Sequence, residues 1–593
     1  MNLENATKRE PIYIYNGTED FLINTKGCYI PNYGKTLVIK EPKIYNTNCG
    51  DRAIFISKTG TNKIEFRIDK NVMNKYSKNV KIYCFYNFAS RSNAPGKEER
   101  KLNYTNWTPF KNGTLSMLLQ EIITVRCNTN LSKTHSDTVY EDAYVFIKKL
   151  ETKQPKTKAK NWNVLFVGMD TMSRARVFNS MPRTVQYLQE HGWLDYKGYQ
   201  KVGYNTFPNV VSVLTGKKMN TIYRKCIKTM SKCNEFFLWS KFRDNGYLTA
   251  YGEDNIHLPD TFARYNGFQI QPTHHYLRPF FHTGEKQMHN VLCAKHKPSA
   301  LHLLDYAYEF ANTYKTLNFF GVFWINSYSH NLNHIPTLLD NDMTSFFERL
   351  NESEVLNNTI VIFTSDHGTR YGKMRVPIES YYDERLPMLF MWIPYEFRRT
   401  YEEKYYNLQL NQNRLVTPYD LYITLEEISL NFKTSDVKSE ACPQCTSFFE
   451  EKSPYRTCSD AGVDKKWCSC HDMSKVDTKD TAVETSLQVA VQYIQSVASS
   501  VKTIKCQACR PLRINKVLRT HSYIDTSDNK THYVVAWQMS PGSMSFEATV
   551  MKEGNNFTIL QPTHTISEYN QLGNCVLNPN NIPFCICKAN NCT

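Results

Sequence analysis

Four residues in three separated stretches carry the chemistry of this sequence. Asp170 follows the apolar run NVLFVG, and the pair Asp366-His367 follows the run TIVIFTS. In an open parallel sheet ligands gather beyond the carboxyl ends of the strands, so both acids would face one crevice. A lone acid after a strand is ordinarily a turn former or helix cap, and Asp170 taken alone reads that way. Asp366 and His367 are harder to dismiss. A carboxylate and an imidazole presented together by a Gly turn are two ready ligands for a borderline cation such as zinc. Between them lies Thr206, in the segment Asn205-Thr206-Phe207-Pro208-Asn209 ahead of an apolar stretch and Thr215-Gly216. Pro208 suits the first helical position, which would leave Thr206 at the mouth of a helix, where free amides and the positive dipole end stabilise an anion such as phosphate. A metal-bound hydroxyl at that mouth has a lowered pKa and could attack phosphorus or sulfur. The plain alternative is a Thr206 that only caps its helix.

The elements that must position these groups follow from the apolar pattern. Residues 1–152 read as a β-rich domain with short runs at 36–39, 63–68 and 80–85, and the basic stretch 153–160 reads as a linker. From 161 to 435 continuous apolar runs recur at 163–168, 319–325, 359–363 and 388–393, with room for helices between them, one of them near 184–191. That alternation predicts an α/β core with a parallel sheet. Glu253 and Asp254 follow another strand-like stretch and read as a turn or as outer neighbours of the site. Residues 436–593 form a cysteine-rich region with a helix over 481–501 and strand-like alternation over 530–560. There is no internal repeat.

The chain has 593 residues, enough for two to four domains, and 41% hydrophobic with 22% charged residues excludes collagen-like, coiled-coil and wholly disordered chains. A net charge of +16 could attract an anionic substrate, a membrane surface or nucleic acid, although dispersed solvated lysines are the simpler reading and no nucleic-acid-binding motif accompanies the charge. No uncharged stretch approaches the roughly 18 to 20 apolar residues that span a bilayer. Polar Asn2, Glu4 and Asn5 stand where a leader's apolar segment would be. The 18 cysteines, bunched at Cys442, Cys445, Cys458, Cys468 and Cys470 and again at Cys575, Cys585, Cys587 and Cys592, suit disulfides. Asn-X-Ser/Thr sequons begin at Asn5, Asn16, Asn103, Asn106, Asn112, Asn130, Asn351, Asn357, Asn529, Asn556 and Asn591. Together they predict a secreted, extracellular or lumenal glycoprotein whose signal peptide or membrane anchor has been removed. The competing reading makes Cys442-x-x-Cys445 and Cys506-x-x-Cys509 a zinc ribbon.

These residues also carry a resemblance. Asp170, the stretch from Thr206-Phe207-Pro208-Asn209 to Thr215-Gly216, and Ser365-Asp366-His367-Gly368 occur in the order of the alkaline phosphatase-like superfamily. More closely, residues 160–470 resemble the sulfatase-like family known as domain of unknown function 229. The pieces are GMDTMSR, MPRT, GYNTFPNVVSVLTG, YLRPF, SDHGTRYG, RLVTPYDLYITL and RTCSDAGVDKKWCSC. The resemblance implies an alkaline phosphatase-like, mostly parallel sheet flanked by helices, between the β-rich N-terminal domain and a disulfide-rich C-terminal region. Asp170, Thr206, Asp366 and His367 match the ligand set of one metal, with Thr206 doubling as nucleophile, and Asn209 matches a residue that holds a non-bridging phosphate oxygen. A second metal requires an Asp four residues before a His and a distant His. Asn326 stands at the Asp position ahead of His330, and no downstream His has a matching context, so one Zn2+ is expected and a second is not supported. His330 and His334 would then donate a proton to the leaving group or contact the oxyanion.

Sulfatases proper oxidise a Cys or Ser in a Cys/Ser-x-Pro-x-Arg frame. Here that frame reads Thr206-Phe207-Pro208-Asn209-Val210. Threonine would give a ketone and the Arg is absent, which favours phosphoryl chemistry. The implied activity is that of a metal-dependent hydrolase or transferase, a phosphodiesterase, phosphatase or phosphotransferase, whose phosphate-ester substrate is lipid- or glycan-linked. The alternative is a non-catalytic extracellular binding protein on a sulfatase-like fold.

Overall fold

The structure, a computed structural model, describes residues 20–45, 47–130, 137–151, 161–258, 262, 266–331, 334–433, 436–505, 507–525, 527–568 and 571–589. The apolar runs beyond residue 161 become the middle of a seven-stranded sheet. Its order is Leu194–Asp195, Leu389–Trp392, Thr359–Thr364, Asn163–Met169, Phe319–Ile325, Leu248–Glu253, His275–Tyr276. The five strands from Thr359–Thr364 onward run parallel, and Leu389–Trp392 and Leu194–Asp195 pair antiparallel at the other edge. Alternate side chains go to opposite faces. Leu165, Val167, Phe323 and Phe363 pack into one core with the helices Ser299–Tyr314 and Asp340–Glu352. Val164, Phe166, Val322 and Ile362 pack into a second with Thr206–Thr215 and Pro418–Ser429. Burial on both faces is why the runs show no polar alternation. Each such side chain contributes roughly 1.5–3 kcal/mol.

The N-terminal unit encloses its own core, with Phe66, Phe88 and Val125, between a three-stranded and a five-stranded antiparallel sheet. The run expected at 80–85 begins at Tyr83 and continues to Arg91. The run expected at 36–39 is not a strand. Its amides at Thr36 and Leu37 turn back onto the Tyr33 carbonyl, and no neighbouring strand is there to pair with it. The hairpin Phe21–Asn24 with Tyr29–Pro31 lies apart from this unit. Ile23, Ile30 and Tyr33 pack on Tyr382, Leu415 and Trp467, and a disulfide ties Cys28 to Cys470.

In the C-terminal region the helix Thr481–Ser500, capped by Asp480, packs Val483 and Leu487 on Trp537 and Phe546 of a five-stranded antiparallel sheet. Cys442 pairs with Cys445 and Cys509 with Cys585, which removes the zinc-ribbon reading; Cys506 and Cys592 lie outside the described residues. The remaining described cysteines are also paired, none is free among the described residues, and such disulfide density fits an extracellular or lumenal protein. Among the described residues no helix is long and apolar enough to cross a membrane. The sequon residues Asn103, Asn106, Asn112, Asn130, Asn351, Asn357, Asn529 and Asn556 are all exposed, whereas Asn5, Asn16 and Asn591 lie outside the described residues.

Candidate active site

Neighbouring strands deliver the acids. Asp170 follows the strand Asn163–Met169 and its amide still donates to the Ile325 carbonyl at 2.9 Å, while Asp366 and His367 follow Thr359–Thr364 at the same sheet end. The chain then turns sharply at Thr171, whose φ of 59° is unusual for a β-branched residue. That turn aims the Thr171 amide at Asp366 Oδ1, 3.0 Å away, while its hydroxyl donates to Asp170 Oδ1 at 2.6 Å. After His367 only glycine fits, because a Cβ on Gly368 would lie 2.1 Å from the Asp383 carbonyl oxygen. Thr206 is the first residue of its helix and is half-buried; its hydroxyl donates to Asp170 Oδ2 at 3.2 Å. Pro208 is therefore the third helical residue, not the first. Asn205 makes no side-chain cap, which leaves the first-turn amides without that partner.

One carboxylate oxygen each from Asp170 and Asp366 and one ring nitrogen of His367 lie within 4.8 Å of one another. His367 Nδ1 lies 2.8 Å from the Gly368 carbonyl, which assigns the proton to Nδ1 and leaves the Nε2 lone pair. Nε2 is 3.1 Å from Asp366 Oδ2, and both atoms are buried without a hydrogen-bond partner. Two buried acceptors facing each other are costly unless they share a cation. Burial pushes His367 down to about 4, so the ring is neutral and ready to ligate. Burial, followed by the Asp170 charge, raises Asp366. With the Thr206 hydroxyl, the donor set fits a divalent cation of zinc's preferences.

The model of the family described as a protein of unknown function, DUF229, matches residues 43–518. The chain belongs to this family. No curated protein matches it. Among solved structures it is similar to an alkaline phosphatase superfamily protein from Vibrio parahaemolyticus, at 13% identity over 69% of this chain and 84% of that one, with a TM-score of 0.34. It is similar to the lipoteichoic acid synthase LtaP from Listeria monocytogenes, at 14% over 54% and 78%, TM-score 0.33. It also resembles murine ectonucleotide pyrophosphatase/phosphodiesterase 5, at 11% over 45% and 95%, TM-score 0.29. At these scores the reading of the site rests on its own residues.

Several residues of this DUF229 chain sit differently from their expected roles. Asn209 does not face the crevice. Its carbonyl accepts the Val202 and Gly203 amides, each at 2.9 Å, and its amide donates to Gly203 and Asn205 carbonyls, so every hydrogen-bonding position is spent on the loop before Thr206. His334 is buried, accepts the Asn331 amide at Nδ1, and burial pushes it down to about 3. That contact braces the turn from Asn331 to His334. His330 is half-exposed and lines a cavity with Thr171, Thr369 and Arg370. The Asn326 amides hydrogen-bond Asp254, which also accepts from Ser327 and is raised to about 7 by burial. Glu253 accepts from the Tyr251 hydroxyl within the same strand. None of these residues groups with another His or acid as a second metal site among the described residues.

Sequence reasoning missed a buried charge cluster next to the loop that carries Thr206. Lys201 pairs with Glu384 and lies over the Trp467 ring at 4.1 Å. Glu384 also takes Arg385 at 2.9 Å, and Glu547 from the C-terminal sheet takes Arg375 at 3.2 Å together with Arg519. Burial alone would raise both acids, but the surrounding cations outweigh it and hold them below the usual carboxylate range. Burial lowers Lys201 to about 7. The pairs that join distant stretches, Arg375 with Glu547 and Lys201 with Glu384, are 172 and 183 residues apart, so no local pattern announced them.

Proposed function

We propose that this protein is a zinc-dependent enzyme that cleaves or transfers phosphate esters through a covalent phosphothreonine at Thr206. The observation that best supports the reading is the meeting of a helix-mouth hydroxyl with two buried carboxylates and a neutral imidazole whose Nε2 has no other partner. Asp170, Asp366, His367 and the Thr206 oxygen would hold the ion, which when bound lowers the pKa of that hydroxyl. Thr206 Oγ1 forms its bond to phosphorus as the bond to the departing alcohol breaks, and its proton leaves toward Asp170, the carboxylate it already hydrogen-bonds. His330, at the rim of the adjoining cavity, gives the departing oxygen a proton. The helix-mouth amides face the charge that grows on the phosphoryl oxygens, and such a contact is worth on the order of 10² to 10³ in rate. Water or a second alcohol then takes the phosphoryl group, releasing Thr206. The exposed sequons and the disulfides suit a secreted or surface-anchored glycoprotein acting on lipid- or glycan-linked esters.

The test is metal analysis combined with Thr206→Ala assayed on a panel of phosphomono- and diesters. The reading requires about one zinc per chain and a wild-type turnover that the variant lacks. A metal-free, inactive wild type would favour the non-catalytic binding protein instead.

A further inference from the structure

With Asn209 committed to its loop, the expected contact to the non-bridging phosphoryl oxygens has no holder, and the structure assigns that role to Arg370. The inference rests on the phosphoester reading of the same site. Arg370 is attached to each part of the centre by a different observation. It stands three residues after His367. Its guanidinium lies 4.8 Å over the ring of Tyr204, two residues before the nucleophile, and 5.6 Å from the ring of Tyr371. It lines a cavity together with Thr171, the neighbour of Asp170, and Thr369. All three stretches that converge on the metal centre therefore border one guanidinium.

The cavity itself has the right size and sign. Its volume of about 30 Å³ accommodates one or two water-sized groups, which suits phosphoryl oxygens and not an entire leaving group. Lys40, Arg176 and Arg370 line it against a single acid, Glu41. Arg176 is buried and spends Nη1 on the Thr171 and Ser329 carbonyls, which fixes it as part of the wall. Lys201 is fully buried and paired with Glu384, so it cannot move to a substrate. Arg370 is planar and permanently charged, and its fork, over the Tyr204 ring and near that of Tyr371, suits bidentate contact with two oxygens.

The experiment uses orthophosphate as the probe. The zinc-loaded wild type, Arg370→Ala and Arg370→Lys are compared by calorimetric phosphate binding, zinc content and turnover of 4-nitrophenyl phosphate. Arg370→Ala is expected to keep its zinc, to bind phosphate at least tenfold more weakly, and to lose about 10² to 10³ in kcat/KM. Arg370→Lys recovers only part of the loss, and added guanidinium restores turnover to the Ala variant, a rescue that a merely structural arginine would not show. Equal phosphate affinity and turnover in wild type and Arg370→Ala overturn the assignment while leaving the phosphoester reading intact. A zinc-loaded wild type that binds no phosphate and turns over no ester overturns both.

Discussion

Two buried clusters, each built around two carboxylates, lie on either side of the loop that carries Thr206, and they keep opposite company. Behind the loop, Glu384 and Glu547 are ringed by Lys201, Arg375, Arg385 and Arg519. In front of it, Asp170 and Asp366 face each other and a neutral imidazole, with no Lys or Arg ion-paired to them among the described residues. The first cluster pairs both of its acids with cations of the chain and joins the C-terminal sheet to the core. The second leaves Asp366 Oδ2 and His367 Nε2 with no protein partner, so only something the chain does not encode can complete it. Buried acids ringed by cations make a joint, whereas buried acids beside a neutral imidazole form a group that could hold a cation.

The contrast predicts that damage in front of the loop removes activity and damage behind it removes stability. Asp366→Asn takes an anionic ligand from the centre and is expected to strip the zinc and reduce turnover to that of buffer; a variant retaining a full equivalent of metal by elemental analysis would break the comparison. Glu547→Gln leaves Arg375 and Arg519 buried without their acid and should cost about 3–5 kcal/mol in denaturant unfolding. Zinc per folded molecule should stay at the wild-type level, and a parallel loss of metal would mean the clusters are not independent. His330→Gln sharpens the chemistry. It should slow esters of alkyl alcohols about 100-fold while sparing 4-nitrophenyl esters, whose leaving group needs no proton.

Asn209→Ala orphans the Val202 and Gly203 amides and should cost about 1–3 kcal/mol, with kcat falling and zinc retained. The last prediction concerns pH. Burial pushes His471 down to about 3, against a partial offset from Asp525, and the ring stacks on Tyr523 at 3.8 Å. The unfolded chain binds a proton there near 6.5 that the folded chain refuses, so stability is full above that pH and falls as pH drops from 6.5 toward 3. A melting temperature that is flat over that window in wild type, or equally steep in His471→Phe, would remove the contribution.

Much of the fold was legible because both faces of the sheet are buried. The runs at 319–325 and 63–68 match strands Phe319–Ile325 and Lys63–Ile68, those at 163–168 and 359–363 stop one residue short, and that at 388–393 overruns Leu389–Trp392 by one residue at each end. The helix read over 184–191 is Pro182–Glu190, moved by the proline at its first turn. The run at 36–39 misled because apolar character without a pairing neighbour does not make a strand. Within the site, the Asp366-His367 pair and the Thr-x-Pro helix start were legible as local covalent patterns. Asn209 and His334 were not, since their chemical type suits a ligand-facing role as well as the loop-bracing one that packing imposes.

The order of side chains along the chain determined which groups could meet: acids placed just past buried strands and a hydroxyl at a helix mouth, all set by short-range backbone preferences. Tertiary packing alone decided which of them do. The turn at Thr171, the close approach at Gly368 and the arginine stacked on Tyr204 depend on contacts between stretches far apart in sequence. Such contacts leave no periodic trace, because each is a single pairwise fit and not a repeated surface. They nevertheless aim the lone pairs.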